Sequence, residues 1–383
     1  MKLKQIGLLP RVIIAIVVGI ALGLILPEVV VRGFETFNSI FSQFLSFLIP
    51  LIIVGLVTPA IADIGKGAGK LLLITALIAY GDTVFSGFLS YFTSVSVFPS
   101  LISQGAASEI SEAHNLEPYF TINIPPVMDV MSALVLSFTL GLGMAFFNSL
   151  LLKRGAGEFK AIIAKAIEVA LIPILPLYIM GIFMGMASTG QAWHIISVFI
   201  SIIGVIFLMH IGLLVLQYCI AGVIAHRNPF KALVTMLPAY FTALGTSSSA
   251  ATIPVTLERA KLNGVRDEVA GFVVPLCATI HLSGSAMKIT ACAVALMLMQ
   301  GLPVSVGMFT GFILMLGVMM VAAPGVPGGA IMAALGVLKS VLGFDADQQA
   351  LMIALYITMD SFGTACNVTG DGAIALIINH FKK

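Results

Sequence analysis

Apolar runs fill most of this chain and recur with a regular spacing. Stretches of about 20 residues or more, enough to cross a ~30 Å hydrocarbon core as a helix, lie near residues 11–26, 38–62, 71–99, 126–150, 166–188, 195–225, 271–300 and 350–378. Each is read as a transmembrane span. Two further apolar segments, 231–260 and 306–342, carry interruptions at their centres. The first contains Gly245-Thr246-Ser247-Ser248-Ser249, and the second has two prolines and three glycines between Pro324 and Gly329. Proline and glycine at that density do not continue a helix, so each segment is expected to turn back inside the membrane, with a kinked full span as the alternative.

Composition agrees with this pattern: 59% of residues are hydrophobic and 9% are charged. The net charge of +2 gives no reason to expect a nucleic-acid partner. Its distribution sets a topology instead. Sixteen of the nineteen Lys and Arg residues fall on alternate loops, the mark of cytoplasmic faces, with Arg32, Lys288 and Lys339 as exceptions. The loop bearing Glu109, Glu112 and Glu117 then lies outside, both termini are cytoplasmic, and a prokaryotic inner membrane is expected. The basic start is read as the flank of a first span and not as a leader, because "LILPEVVVRGF" offers no small-residue cleavage site. Lys231 and Arg259 to Arg266 belong to the same face, so 231–260 enters and leaves on one side. Its expected arms, 231–244 and 250–260, are each ~15–20 Å long and reach the middle of the bilayer. The second hairpin enters from the other side. Each hairpin precedes a polar span, giving an internal inverted repeat of 231–300 against 306–378. Cys219, Cys277, Cys292 and Cys366 lie in apolar segments and read as packed thiols, since no Cys/His spacing fits a metal.

Ionisable residues at membrane depth are costly and mark function by default. Asp82, Asp360, Asp371 and Lys288 qualify, and His281 joins them, although a single buried histidine is more often a hydrogen-bonded core residue than a ligand. In "MDSFGTACNVTGD", Asp360, Thr364, Asn367 and Asp371 are spaced by four, three and four and share one helical face. Two carboxylates, a hydroxyl and an amide on one stripe suit an ammonium group and a desolvated cation; interhelical hydrogen bonding is the plainer alternative. In "CATIHLSGSAMKIT", Gly284-Ser285 is read as a site of local unwinding, and Lys288 requires an acidic partner.

These stretches are where a resemblance enters. "SSSAATIP", "ATIHLSGSA", "GVPGGAIM" and "NVTGD", in that order over essentially the whole chain, resemble the dicarboxylate/amino acid:cation symporters, the family of archaeal aspartate transporters and of mammalian glutamate and neutral amino-acid carriers. The resemblance implies an all-α membrane protein of eight spans and two re-entrant hairpins, working as an elevator and assembled as a homotrimer. Spans 1, 2, 4 and 5 (1–70 and 126–190) would form a scaffold. Spans 3, 6, 7 and 8 (71–99, 195–225, 271–300 and 350–378) with the hairpins (231–260 and 306–342) would form the moving transport domain. It implies a substrate pocket lined by Ser248, Ser249, the backbone of Val326, Pro327, Gly328 and Gly329, Asp360 for an α-ammonium, and Thr364 and Asn367 for an α-carboxylate. It places one Na+ at Asp371 with carbonyls near Cys277, His281 and Asn367, and another near Thr279 and the second hairpin. No enzymatic activity is implied; a Ser248/Lys288 hydrolase lacks any nucleophile motif, and a passive channel is the other alternative.

The chain also departs from the family pattern. Acidic-substrate members carry an arginine at the position of Gly363, so no guanidinium fork is present for a side-chain carboxylate. The run Asp360 to Ala365 is nearest the serine/threonine branch. A small neutral amino acid is therefore the expected substrate, with an acidic amino acid or dicarboxylate as the alternative and Na+ or H+ as the coupling ion. The usual "NMDGT" reads "HLSGS", with His281 and Ser283 in place of Asn and Asp, while Asp82 stands where a third-span hydroxyl of a third ion site belongs. The expectation is that the Lys288 ammonium pairs with Asp82 and replaces that ion, with the alternative that Asp82 replaces the lost ligand and Na+ still binds there.

Overall fold

The computed structural model describes residues 8–64, 70–102, 117–147, 149–188, 192–323 and 327–382, and for 63–64 and 192–197 the backbone alone. Lys2, Lys4, Lys66, Lys383, Glu109 and Glu112, used above for topology, lie outside these residues. Every element in the described residues is helical. The chain runs through α1 (Leu8–Ile25), α2 (Glu28–Ile64), α3 (Lys70–Val97), α4 (Val130–Phe147), α5 (Leu150–Ala166) and α6 (Ile172–Ser188), the last two joined by a π-helical turn at Ile167–Leu171. It continues through α7 (Ala192–Ala225), α8 (Pro229–Thr246), α9 (Ser249–Leu262), α10 (Asp267–Ile280), α11 (Ser283–Met299), α12 (Val306–Ala322), α13 (Gly329–Leu342), α14 (Ala346–Thr358) and α15 (Asp360–Phe381). Among the described residues eight stretches are long and apolar enough to cross a membrane, and they correspond to the eight spans expected from the sequence.

The segment expected as a loop between the fourth and fifth spans is helical. Residues 150–166 form α5, whose exposed face carries the ion pairs Arg154–Glu158 at 3.1 Å and, at its end, Lys165–Glu168 at 3.0 Å. Side chains three and four residues apart meet on one helix face, so the same basic residues that mark a cytoplasmic face also support a helix. The second span likewise begins ten residues earlier than its apolar core.

Both interrupted segments are helical hairpins. In the first, α8 ends at Thr246, Ser247 takes the left-handed conformation (φ +49°), and Ser248 caps α9 by accepting from Ala251 N at 3.3 Å. A serine hydroxyl satisfies one of the orphan N–H groups of a helix start, which explains a polar tip inside an apolar segment. The arms are 18 and 14 residues long, each longer than the expected 231–244 and 250–260 by a few residues. There Asn263 Nδ2 donates to Ala232 O at 3.0 Å and ties the two open ends together. The second hairpin packs α12 on α13. Of its tip, Pro327 and Gly328 are described; Gly328 sits at φ +75°, where glycine alone is unstrained.

Each hairpin is followed by a broken helix: α10 gives way to α11 at His281–Leu282, and α14 to α15 at Met359. These two pairs occupy the middle of the molecule, with 94% of an 18-residue stretch inside Asp267–Met299 and 89% of one inside Asp360–Phe381 buried, against 28% for α1. Around them α3 packs along α11, and α7 and α8 along α15. On the other side α1 lies on α6, with Gly19 and Gly23 directly against the Met180 and Met184 carbonyls, while α2 packs on α4, α5 and α6. All four cysteines are free thiols.

Candidate functional site

The break in span 7 falls one turn earlier than the Gly284-Ser285 pair. Those two residues lie in the first turn of α11, and their orphan N–H groups are satisfied by Asn367 Oδ1, at 2.8 Å from Gly284 N and 3.3 Å from Ser285 N. Asn367 Nδ2 donates to Ser285 Oγ at 3.1 Å, and Ser285 Oγ meets the Tyr356 hydroxyl at 3.1 Å. Asn367 is thus the side-chain cap of α11. From α3, Ser86 donates to Ser283 O at 2.8 Å and Ser90 to Met287 O at 2.6 Å, fixing the axial position of α11.

At the second break, Asp360 opens α15, where a carboxylate is favoured by the helix dipole. Lys288 Nζ donates to Asp360 Oδ1 at 3.2 Å and to Met359 O at 3.3 Å, and stands 3.4 Å from the centre of the Tyr356 ring. The second carboxylate oxygen, Oδ2, accepts from Gly328 N at 2.8 Å. A fully buried ammonium is tolerated because carboxylate, carbonyl and aromatic face together replace its water. Gly363 makes the room: a Cβ there would fall 2.7 Å from Lys288 Nζ.

The pairing expected between Lys288 and Asp82 is therefore not the one the fold makes. Asp82 belongs to His281. His281 Nε2 lies 2.7 Å from Asp82 Oδ2 and Nδ1 lies 2.8 Å from Asp371 Oδ1, so the imidazole bridges the two carboxylates. Each of these short nitrogen–oxygen lines needs a proton, carried either by the ring or by a carboxylate, so three titratable groups share one proton network. Gln217 Nε2 donates to the same Asp82 oxygen at 2.6 Å and to Ser283 Oγ at 3.2 Å. Gly370 leaves the space for this cluster, since a Cβ there would fall 2.9 Å from both His281 Cε1 and Gln217 Oε1. Gly363 and Gly370, two turns apart on α15, thus seat the Lys288 and His281 side chains.

The remaining expected residues distribute as follows. Ser249 is buried at the start of α9, and Gly329 opens α13 beside Gly328. The Ser248 carbonyl accepts from Thr252 Oγ1 at 2.8 Å. Thr364 Oγ1 donates to the Asp360 carbonyl at 2.9 Å. Cys277 is buried, and its carbonyl accepts from His281 N at 2.8 Å. Thr279 is exposed and donates to Leu276 O at 2.7 Å. Val326 lies outside the described residues, as do Pro324 and Gly325. Gln217, Tyr356 and Met359 were not anticipated. Gln217 had a signal, as an amide inside the apolar run "LLVLQYCIAG"; the Met359 carbonyl had none.

With this geometry in view, the comparisons with known proteins decide the family. The profile described as the sodium:dicarboxylate symporter family matches residues 8–381. The chain belongs to this family. Its members are transporters and not enzymes. This symporter-family chain is 32% identical over 179 residues to mouse excitatory amino acid transporter 4, covering 46% of this chain and 31% of that one. It is 32% identical over 162 residues to human excitatory amino acid transporter 2, covering 42% and 28%. With mouse excitatory amino acid transporter 3 the identity is 33% over 162 residues, covering 42% and 31%. The matched stretch therefore spans less than a third of each relative's length.

Proposed function

We propose that the protein is a secondary-active symporter that moves a small organic carboxylate across the membrane together with a cation, in the first place Na+. The observation that carries this reading is the convergence on Asp360: a hairpin tip, the break of span 8 and a buried cation from span 7 meet at one carboxylate. Paired discontinuous helices meeting between inverted repeats are the hallmark of a transporter's binding site. Two helix N-termini at the hairpin tips, of α9 and α13, offer partial positive charge to an anionic solute. The substrate would lie among Ser248, Ser249, Pro327, Gly328, Gly329, Asp360 and Thr364.

Na+ is cargo here, and the residues present suit it. Asp371 Oδ2 and Thr369 Oγ1 are buried without hydrogen-bond partners. The Asp371 oxygen, with carbonyls near Cys277, His281 and Asn367, would supply hard ligands for one ion, and a second ion is proposed near Thr279 and hairpin 2. The packing supports a division into α1, α2 and α4–α6 as a scaffold and α3 and α7–α15 as the part that moves past it as an elevator. Homotrimeric assembly in a prokaryotic inner membrane, with both termini cytoplasmic, completes the proposal. Uptake of radiolabelled carboxylates into proteoliposomes under imposed Na+ or H+ gradients tests it. Saturable accumulation against a concentration gradient is expected; linear, non-accumulating flux would identify a passive channel.

A further inference from the structure

The stripe Asp360–Thr364–Asn367–Asp371 has the composition of an ammonium-binding surface, and the fold supplies the ammonium from within. Lys288 donates to Asp360 Oδ1, the Gly328 N–H donates to Oδ2, and both carboxylate oxygens are engaged. The three N–H bonds of Lys288 face Asp360, the Met359 carbonyl and the Tyr356 ring, so none is left over to hold a solute. The side chain also fills the volume beside Gly363 into which any longer residue at that position would project. What remains around the pocket is the positive ends of α9 and α13 and a carboxylate already neutralised.

Resting on the reading of a carboxylate symporter, we infer that Lys288 is a built-in ammonium that takes the place of a substrate ammonium at Asp360, so that the pocket admits carboxylates lacking an amino group and rejects α-amino acids. The physical basis is desolvation. An ammonium brought to this depth loses its water and finds no free anion, because displacing Lys288 would strand a second buried cation in its place. A hydroxyl or methylene at the same carbon carries no such penalty. This reading replaces the neutral amino acid that the missing arginine at position 363 pointed to, and it needs no guanidinium fork.

Matched pairs of solutes test it: L-aspartate against L-malate, L-serine against glycerate, and L-alanine against L-lactate, each as uptake into proteoliposomes and as binding to the detergent-solubilised full chain. For the wild type, the hydroxy acid of at least one pair is expected to be preferred over its amino acid by at least about tenfold, the ratio set by ~1.4 kcal/mol of differential binding. Lys288→Met, which frees Asp360, is expected to shift that ratio toward the amino acid by a similar factor. If removing the cation prevents folding, Lys288→Met with Asp360→Asn replaces the pair by neutral groups and should abolish the discrimination. Equal or tighter handling of the amino acid by the wild type, or an unchanged ratio in either variant, overturns the inference while leaving carboxylate symport intact. The absence of saturable uptake for every solute overturns both.

Discussion

Replacing His281 by leucine, a side chain of comparable size with no polar atoms, isolates the electrostatic role of the imidazole. In the native fold the ring makes two short contacts to carboxyl groups, 2.8 Å to Asp371 and 2.7 Å to Asp82. Hydrogen bonds to charged groups contribute ~1.5–3 kcal/mol each, and removing one partner of a buried charge pair costs ~3–5 kcal/mol. Asp371 is fully enclosed, while the Asp82 side chain is 19% exposed and recovers part of its hydration. The loss is therefore expected at ~3–5 kcal/mol, dominated by Asp371. Denaturant unfolding of the solubilised protein measures it. A cycle with Asp82→Asn separates the charge effect from packing, with an expected coupling of ~1–3 kcal/mol. Na+ should stabilise the leucine variant more than the wild type, since it gives the cation a second uncompensated carboxylate to bind. A loss below ~1 kcal/mol, with no coupling to Asp82, would show that the ring is a packing residue and that the reasoning about a bridged carboxylate pair is wrong.

Other consequences follow from the same geometry. Asn367→Ala leaves the Gly284 and Ser285 N–H groups buried and unsatisfied, so a loss of ~1–3 kcal/mol is expected in the same unfolding assay, with Asn367→Asp retaining most of the stability. Gly328→Ala forces a side chain into φ +75° and should cost ~1–2 kcal/mol; because the strain sits on the N–H that holds Asp360, uptake should fall more than stability does. Gly370→Ala drives a Cβ against a rigid ring and the Gln217 amide and is expected to cost ~1–3 kcal/mol. Gly307→Ala, where a Cβ meets open space, is the control that should leave both stability and uptake near the wild-type values.

Much of the architecture is legible in local sequence because it is decided by local rules. An apolar run of sufficient length is a span, a cluster of Pro and Gly ends a helix, and residues at four, three and four along a helix share a face; α15 carries its stripe as those intervals require. The same rules place Ser247–Ser248 at a hairpin tip. They do not say which buried charge meets which. His281 and Lys288 lie seven residues apart, about two helical turns, so the sequence does not say which of Asp82, Asp360 and Asp371 each one meets. The assignment follows from where span 7 breaks and how α11 sits against α3 and α15. Asn367 caps α11 at Gly284, Ser86 and Ser90 hold it axially, and Gly363 and Gly370 open the two seats. Capping moved the break to His281–Leu282, and that single turn brings the imidazole to Asp82 and sends the lysine to Asp360. Helix periodicity is a property of one segment, while charge pairing depends on the register between three segments far apart in the chain, and only their packing fixes it.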